Sequence, residues 1–352
     1  MNRKTCQQTM VRYALPQMIG LLFNSCYVLV DGIFIGRILE TTAMAAAGTA
    51  VLLVELLVAL SMALSAGGSV GIMAHLARGE QEKARRVFAD VLCLSLLIGF
   101  LICLFGNLFL TELAMALGAD ASCLADAKTY LRFIVTFCPF MLMGYLLGGL
   151  TRADDCPRLA MTAMSAGSVS NIFLDSLFMV PFHMGIGGAA LATAIGPVLS
   201  ILILLPHFVL RKGTLYLTRM PGFFSSFFRE AGRILYAGFP SFVMEYSIGI
   251  VTFFINRAIV REQFGAMGLA AFLIIGYLML LYLTVFLGMA EGLQPVFSLL
   301  AGKRRPGAEG PSEVFREGLP GRPSLSLGSS FRFSVSFFHG RFIRSLIHRI
   351  RR

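Results

Sequence analysis

Tryptophan is absent from the 352 residues of this chain, and charged side chains are scarce, at 14% of the total. Soluble domains carry about 25% charged residues, so this composition is a poor match to a water-facing surface. Hydrophobic residues make up 57% of the chain, and the mean hydropathy is +0.77. A lipid-facing protein can display that much apolar surface, whereas a soluble protein cannot. The composition therefore indicates one membrane-embedded domain.

Several chemical motifs are also missing. The seven cysteines form no Cys-x-x-Cys pair and lie mostly in apolar stretches, which argues against a disulfide framework or a structural zinc site. The sequence contains no Walker A, GxSxG or HExxH motif, and no nucleophile–base pair is evident. We therefore predict that the protein is not an enzyme and uses no cofactor.

Long apolar runs dominate what is present. A membrane-spanning helix needs about 20 apolar residues. Eight segments qualify, at residues 12–36, 44–76, 87–110, 124–150, 158–180, 186–210, 233–260 and 266–300. The first is too long for the apolar core of a signal peptide and lacks a cleavage site, so it is predicted to be a retained helix. The predicted fold is an all-α, polytopic bundle of about eight transmembrane helices.

The loops predict the orientation. The N-terminus and the loops at 77–86, 151–157 and 211–232 are basic, whereas the loops between them are short and poor in Lys and Arg. Arg152 is assigned to the second of these basic loops. By the positive-inside rule the N-terminus is cytoplasmic, and the protein is expected to be a multi-pass protein of the bacterial cytoplasmic membrane.

An internal repeat relates the two ends of the apolar region. A shift of 224 residues places Pro16 on Pro240, Arg37 on Arg261 and Gly68 on Gly292, and the apolar segments superpose as well. Such a repeat is typical of transporters. It divides the chain into a six-helix lobe (1–210), a cytoplasmic loop (211–232) and a second lobe (233–301) with two helices, which suggests that the repeat is cut short.

The last 51 residues, 302–352, change in character and carry a net charge of +8 of the chain's +11. Three interpretations compete: a basic tail on an anionic lipid leaflet, a nucleic-acid-binding arm, or sequence from another reading frame. The abrupt end of the repeat favours the third. The chain is therefore expected to be truncated or frameshifted, with a disordered tail that binds no nucleic acid.

Polar residues inside the spans are the candidates for chemistry, because a carboxylate there costs at least about 2.5 kcal/mol. Asp31 lies in the first segment, Asn171 and Asp175 lie one helical turn apart in the fifth, and Thr193 lies in the sixth. At about 1.5 Å per residue, Asp31, Asp175 and Thr193 all reach the outer half of the membrane. These four residues are predicted to form one site for a proton or Na⁺. The alternative is that each residue makes an ordinary hydrogen bond between helices.

Three further acids and two prolines complete the set of candidates. Glu245 and Glu55 lie near mid-membrane and are candidates for lining a cavity that binds a cationic substrate, and Glu291 has a weaker claim to a lining or hinge role. Pro16 and Pro240 occupy equivalent positions of the repeat, and a proline inside a helix weakens it. They are predicted hinges; the alternative is a static kink that improves packing.

These segments together resemble the multidrug and toxic compound extrusion transporters. The resemblance rests on Pro16 followed by VDGIFIGR, and on AAAGTA, LSAGGSVGIMAHLARGEQEKARR, LGGLTRADDCPRLAM, SNIFLDSLF and GIGGAALATAIG. MEYSIGIVTFFIN and GMAEGLQPVFS resemble the second lobe of the family. The similarity extends over residues from about 10 to 303, nearly all of the chain before the tail.

The resemblance implies a monomeric antiporter with two six-helix lobes, which exports small organic cations in exchange for H⁺ or Na⁺. The family's cation site corresponds to Asp31, Asn171, Asp175 and Thr193, and cation binding there is thought to bend the first helix at Pro16. The chain departs from the family in having two helices in place of six in the second lobe. Two other hypotheses are a flippase for lipid-linked precursors, which would need a large basic cavity, and a transporter fragment without activity.

Overall fold

The described part of the chain is helical throughout. A computed structural model describes residues 3–38, 41–119, 121, 123–216, 223–261, 279 and 281–293, and every regular element in these residues is a helix. In chain order they are α1 (Arg3–Ile38), α2 (Thr41–Ala77), α3 (Gln81–Leu108), α4 (Leu110–Ala116), α5 (Leu124–Ala153), α6 (Pro157–Met179), α7 (Ile186–Val209) and α8 (Phe223–Arg261). A shorter apolar helix, α9 (Leu281–Leu293), follows. The prediction of an all-α bundle is confirmed.

Six helices of the described chain are long and apolar enough to cross a membrane. These spans are Val11–Ile38, Ala46–Ala77, Gln81–Leu108, Leu124–Ala153, Ile186–Val209 and Phe227–Val251. Helix α6, with 23 residues, is about 34 Å long at about 1.5 Å per residue, which is also enough to span. It carries Asn171 and Asp175, two of the candidates for chemistry.

Several element boundaries differ from the predicted ones. The predicted loop 111–123 contains most of a separate short helix, α4, and α8 begins at Phe223, within the predicted loop 211–232. Of the predicted segment 266–300, the structure describes only 279 and 281–293. The predicted tail at 302–352 lies outside the described residues, as does the rest of that segment.

Helix α5 lies at the centre of the bundle and packs against α2, α3 and α7, whereas α1 packs mainly against α6. Small residues allow these helices to approach closely, as is usual in membranes. A Cβ atom at Gly144 on α5 would lie 3.0 Å from the carbonyl oxygen of Pro197 on α7, and one at Gly167 on α6 would lie 2.9 Å from that of Gly196. These contacts hold α7 against both α5 and α6. Helices α6 and α7 carry three of the predicted site residues.

The connection that follows α7 is anchored to the bundle by Asp154, a buried residue just after α5. Its carboxylate accepts hydrogen bonds from the backbone N–H groups of Thr214 (2.9 Å) and Leu215 (3.2 Å), and it pairs with His207 Nε2 at 2.8 Å. The guanidinium of Arg85 donates to the Thr214 carbonyl. This part of the long loop is therefore held against the ends of α3, α5 and α7.

Two close crossings join the first part of the bundle to α8 and α9. A Cβ atom at Gly67 on α2 would lie 2.0 Å from the carbonyl oxygen of Ile234 on α8. A Cβ atom at Gly292 on α9 would lie 2.7 Å from the carbonyl oxygen of Tyr13 on α1. The 224-residue shift relates these two crossings to within one helical turn, so the repeat seen in the sequence has a counterpart in the packing.

Candidate functional site

Helix α6 presents Asn171 and Asp175 on its buried face, where they are 2% and 0% exposed. The helix begins at Pro157, a position where the missing N–H of proline costs no hydrogen bond. The spacing of four residues then places the two polar side chains one above the other. A carboxylate at this depth must find partners within the protein, because lipid supplies none.

Asn171 provides one of those partners. In the orientation that satisfies both atoms of its amide, the nitrogen donates to Asp175 Oδ2 at 3.1 Å, and the oxygen accepts from the backbone N–H of Thr193 at 3.1 Å. The amide thus bridges α6 and α7. Three of the four predicted cation-site residues, Asn171, Asp175 and Thr193, are therefore joined by direct hydrogen bonds.

Asp31 approaches the same group from α1. Its carboxylate lies close enough to Asp175 for the two charges to interact. Oδ1 of Asp31 and Oδ1 of Asp175 are both buried and accept no hydrogen bond from any described residue. Buried carboxylate oxygens without partners are costly. The structure thus brings the four predicted residues together and leaves two acceptor atoms open for a proton or a hard cation.

Tyr130 on α5 is a further member that sequence reasoning missed. It is buried, its hydroxyl shares a hydrogen bond with Thr193, and it interacts electrostatically with Asp31 and Asp175. A buried tyrosine needs a partner for its hydroxyl, which is a weak signal in the sequence. Nothing in the spacing relates Tyr130 to α6, because the two meet only through packing.

A small, half-open cleft lies beside this group, between α1, α5, α6 and α7, with a cavity volume of about 50 Å³. Its polar lining residues are Asn24, Tyr27, Tyr145, Ser168, Asn171, Thr193 and Ser200. Amide and hydroxyl groups on apolar walls are typical of pockets for small molecules. Asn171 and Thr193 belong both to this wall and to the carboxylate site, so the two share a boundary.

The two acids predicted near mid-membrane lie in a second cluster, between α2, α8 and α9. The charges of Glu55 and Glu291 act on Glu245, and Tyr145 interacts with Glu55 and Glu245. Oε2 of Glu245 is buried without a partner among the described residues. Tyr145 is also hydrogen-bonded to Tyr27, which lines the cleft. The tyrosine pair therefore connects the cleft to the second acidic cluster.

The predicted position of Arg152, in a basic cytoplasmic loop, is wrong. It lies in the last turn of α5, where it is 5% exposed, and its Nη1 donates to Oε1 of Gln17 at 2.9 Å. Gln17 in turn donates from Nε2 to Oε2 of Glu291 at 2.7 Å. Glu291, a weak candidate in the sequence, is thus tied to α1 and through it to α5. Arg152 should not be counted as a loop charge.

The two predicted hinge prolines both lie inside helices, Pro16 in α1 and Pro240 in α8. Each lacks the N–H that would bond to the carbonyl one turn earlier, so each helix is weakened at that point. Pro16 is buried, whereas Pro240 is exposed. Their role as moving hinges stays a prediction.

The described residues contain no group of three or more His, Cys, Asp and Glu side chains placed to hold a metal ion. The predicted Na⁺ ligands are of a different kind, since two carboxylates are completed there by amide and hydroxyl groups. Oxygen donors of this type suit a hard cation.

Comparison with known proteins agrees with this architecture. The family model for MatE matches residues 16–177, which include Asp31, Asn171 and Asp175. The multidrug export protein MepA of Staphylococcus saprophyticus is 26% identical over 303 residues, covering 84% of this chain and 65% of that protein. MepA of Staphylococcus aureus strain MSSA476 is 24% identical over 301 residues, covering 85% and 66%.

Solved structures match over the same extent. A multidrug resistance MATE family transporter of the MOP superfamily in its outward-facing conformation is 28% identical, with a TM-score of 0.76 over 84% of this chain and 65% of that one. A MATE in complex with MaD3S is 27% identical, with a TM-score of 0.74 over 84% and 66%. This chain thus spans slightly less than two thirds of the length of each of these four proteins.

Proposed function

We propose that the chain, which is similar to multidrug and toxic compound extrusion transporters, exports organic cations across the bacterial cytoplasmic membrane in exchange for H⁺ or Na⁺. It is a multi-pass membrane protein of a transporter family, so its ligands are expected to be small molecules within a bilayer. The proposed activity is transport rather than catalysis, with the chain acting as a monomer and without a cofactor.

One observation carries the proposal: two buried carboxylates on different helices each keep an oxygen without a hydrogen-bond donor. A proton or Na⁺ between Asp31 and Asp175 would satisfy both atoms and remove the repulsion between the two charges. The hydroxyl groups of Thr193 and Tyr130 are close enough to help, since they share a hydrogen bond beside the carboxylates. Binding of the ion would therefore pull α1 towards α6.

The placement of Asp31 suggests how an ion and a drug could be exchanged. Asp31 stands on α1, which packs mainly against α6 and also forms one wall of the cleft. A movement of α1 that accompanies ion binding would change the shape of that cleft. A ligand with different affinities for the two shapes would then be coupled to the ion.

Charge favours cationic substrates over the anionic substrates of a flippase for lipid-linked precursors. In the second cluster three carboxylates, on Glu55, Glu245 and Glu291, stand against the single guanidinium of Arg152. Such an excess of negative charge attracts organic cations and repels phosphates. The described residues therefore favour export of organic cations over the flippase hypothesis, which needs a large basic cavity.

Efflux of ethidium from membrane vesicles tests the proposal. Asp31→Asn removes the charge but keeps the size of the side chain, and we expect extrusion to fall at least about tenfold, as for the loss of one essential charged contact. Asp126→Asn, near the start of α5, is the matched control and should leave extrusion unchanged. Normal extrusion by Asp31→Asn protein would refute the role of Asp31. An inactive parent chain would support the hypothesis of a fragment without activity.

A further inference from the structure

Helices α1 and α9 approach each other closely at two glycines of α9. A Cβ atom at Gly288 would lie 2.7 Å from the Cα of Met18, and one at Gly292 would lie 2.9 Å from the Cα of Ala14. One turn before Gly288 on α9, the hydroxyl of Thr284 lies 2.7 Å from that of Ser25 on α1 in a buried hydrogen bond. This contact, which we call the α1–α9 crossing, closes the bundle at that point.

Gln17 is the polar centre of this crossing. It directly follows Pro16 and is 2% exposed. Through its amide it accepts from Arg152 Nη1 at 2.9 Å and donates to Glu291 Oε2 at 2.7 Å. Both partners are charged, and hydrogen bonds to charged groups are roughly twice as strong as neutral ones. Gln17 therefore holds the weakened part of α1 to α5 on one side and to α9 on the other.

The strength of this connection depends on the charge of Glu291. Glu291 interacts with the charge of Arg152 on α5 and with the hydrogen-bond donor of Gln17 on α1. The charge of Glu291 acts in turn on Glu245 of α8, as does the charge of Glu55 on α2. A cation that settles against Glu245 and Glu291 would draw the Glu291 carboxylate away from the amide. The bond from Gln17 would then weaken, and the hold on α1 with it.

We propose that Gln17 is a positioning residue that couples the carboxylates of α8 and α9 to α1, so that an organic cation bound at Glu245 and Glu291 loosens the α1–α9 crossing. This inference takes its ligand class, organic cations, from the proposed function. It adds the residue that transmits the effect, Gln17, and the direction of that effect, a loosening of the α1–α9 crossing. It makes α1 the common element of two sites: the Asp31 end responds to the coupling ion, and the Gln17 end responds to the substrate.

The movement of the crossing can be followed with a cysteine at Met18, which faces Gly288. Cysteine is smaller than methionine, so Met18→Cys fits the space. The native cysteines are replaced by serine or alanine, and the full chain is reconstituted in vesicles. We expect the thiol to react slowly with a membrane-impermeant maleimide, and about tenfold faster with saturating tetraphenylphosphonium, a difference of the size of one charge-assisted hydrogen bond.

Four variants on this background separate coupling from simple packing. Gln17→Met keeps the volume but loses both hydrogen bonds, and Glu291→Gln keeps an acceptor but loses the charge; both should label fast without the cation and respond to it less than twofold. Arg152→Lys keeps the positive charge and should retain part of the response. Thr284→Val removes the neutral hydrogen bond between the same two helices and should respond as the parent does.

The labelling experiment can fail independently of the efflux experiment that tests the proposed function. Slow labelling in Gln17→Met protein together with a full response to tetraphenylphosphonium would overturn the inference, as would a lost response in Thr284→Val protein. If Gln17→Met protein does not elute as a single species in detergent, Glu291→Gln decides the test in its place. Efflux that is insensitive to Asp31→Asn, with the labelling pattern as expected, would refute the coupling-ion site and leave the role of Gln17 standing.

Discussion

Asn171 donates a hydrogen bond from its side-chain amide to Oδ2 of Asp175, 3.1 Å away and one turn along α6. The same amide accepts the backbone N–H of Thr193 on α7. One side chain thus orients the deeply buried carboxylate and ties its helix to the next. The other oxygen of Asp175 accepts no hydrogen bond from the described residues and is available to the proposed coupling ion.

Substitution of Asn171 by alanine should therefore impair ion coupling more than folding. Asp175 would lose its donor and the Thr193 N–H its acceptor, each loss being worth about 1–3 kcal/mol for a buried group. We expect the concentration of H⁺ or Na⁺ that drives half-maximal ethidium efflux to rise at least about tenfold. Asn107→Ala on the exposed face of α3 is the control, and an unchanged ion dependence in Asn171→Ala protein would contradict the bridging role.

The crossing of α2 and α8 predicts an intolerance of side chains at Gly67. A Cβ atom there would lie 2.0 Å from the backbone oxygen of Ile234, which cannot rotate away. Gly67→Ala should lower the stability by about 1–3 kcal/mol, the range for overpacking, measured as a lower Tm in detergent. Gly48→Ala, at a helical site with no atom within 4 Å of the added Cβ, should leave the Tm unchanged or raise it.

Asp154 and Asp155 are adjacent in the sequence but make different contacts, so their alanine variants can be compared directly. Asp154 is buried and binds the backbone after α7, whereas Asp155 is exposed and pairs with Arg12 at 2.9 Å. In Asp154→Ala protein the anchored segment loses its acceptor, so trypsin should cut after Arg211 or Lys212 at least about tenfold faster, following the lost buried hydrogen bonds. Asp155→Ala should be cut at the parent rate; equal rates in both variants would argue against the anchor.

The ionisation of Glu80, in the loop between α2 and α3, is not expected to change near neutral pH. Hydrogen bonds from Lys83 and from His75 lower the pKa of Glu80 from its ordinary value of 4.5 to about 2. Because the pKa is lowered in the folded protein, the stabilisation is present above pH 4.5 and is lost as the pH falls through about 2. Glu80→Gln should therefore leave the pH profile of efflux between about pH 6 and 8 unchanged.

That profile provides a second comparison for the coupling site. If a proton at Asp31 drives extrusion, Asp31→Asn should flatten the profile in the same range where Glu80→Gln does not. A profile that changes in the Glu80 variant would place the pH sensitivity in the loop, against the proposal.

The positions of the helices and of the four cation-site candidates could be predicted because they depend on local properties. An apolar stretch of about 20 residues is sufficient to place a spanning helix, and four-residue spacing places Asn171 beside Asp175. The starts and ends of elements were harder. Helix α8 begins ten residues before the predicted start at 233, because the polar residues Ser225, Ser226, Arg229 and Glu230 read as a loop, although a helix can extend beyond the membrane.

The position of Arg152 could not be predicted from its local sequence. By sequence it stands next to a polar turn, and a basic residue there suggests a cytoplasmic loop. Its actual partner, Gln17, is 135 residues away along the chain, and Glu291 is farther still. A buried guanidinium and a loop guanidinium have the same local sequence, so only the packing of α1, α5 and α9 distinguishes them.

The sequence by itself determined that this protein is an all-helical membrane protein with carboxylates inside its spans, since hydropathy, length and helical spacing are properties of short segments. Only the tertiary structure decided which of those carboxylates face each other, that Tyr130 joins them, and that Gln17 links Arg152 to Glu291. Those relationships arise from helices far apart in the chain, whose register is set by close backbone contacts at glycines such as Gly67 and Gly288.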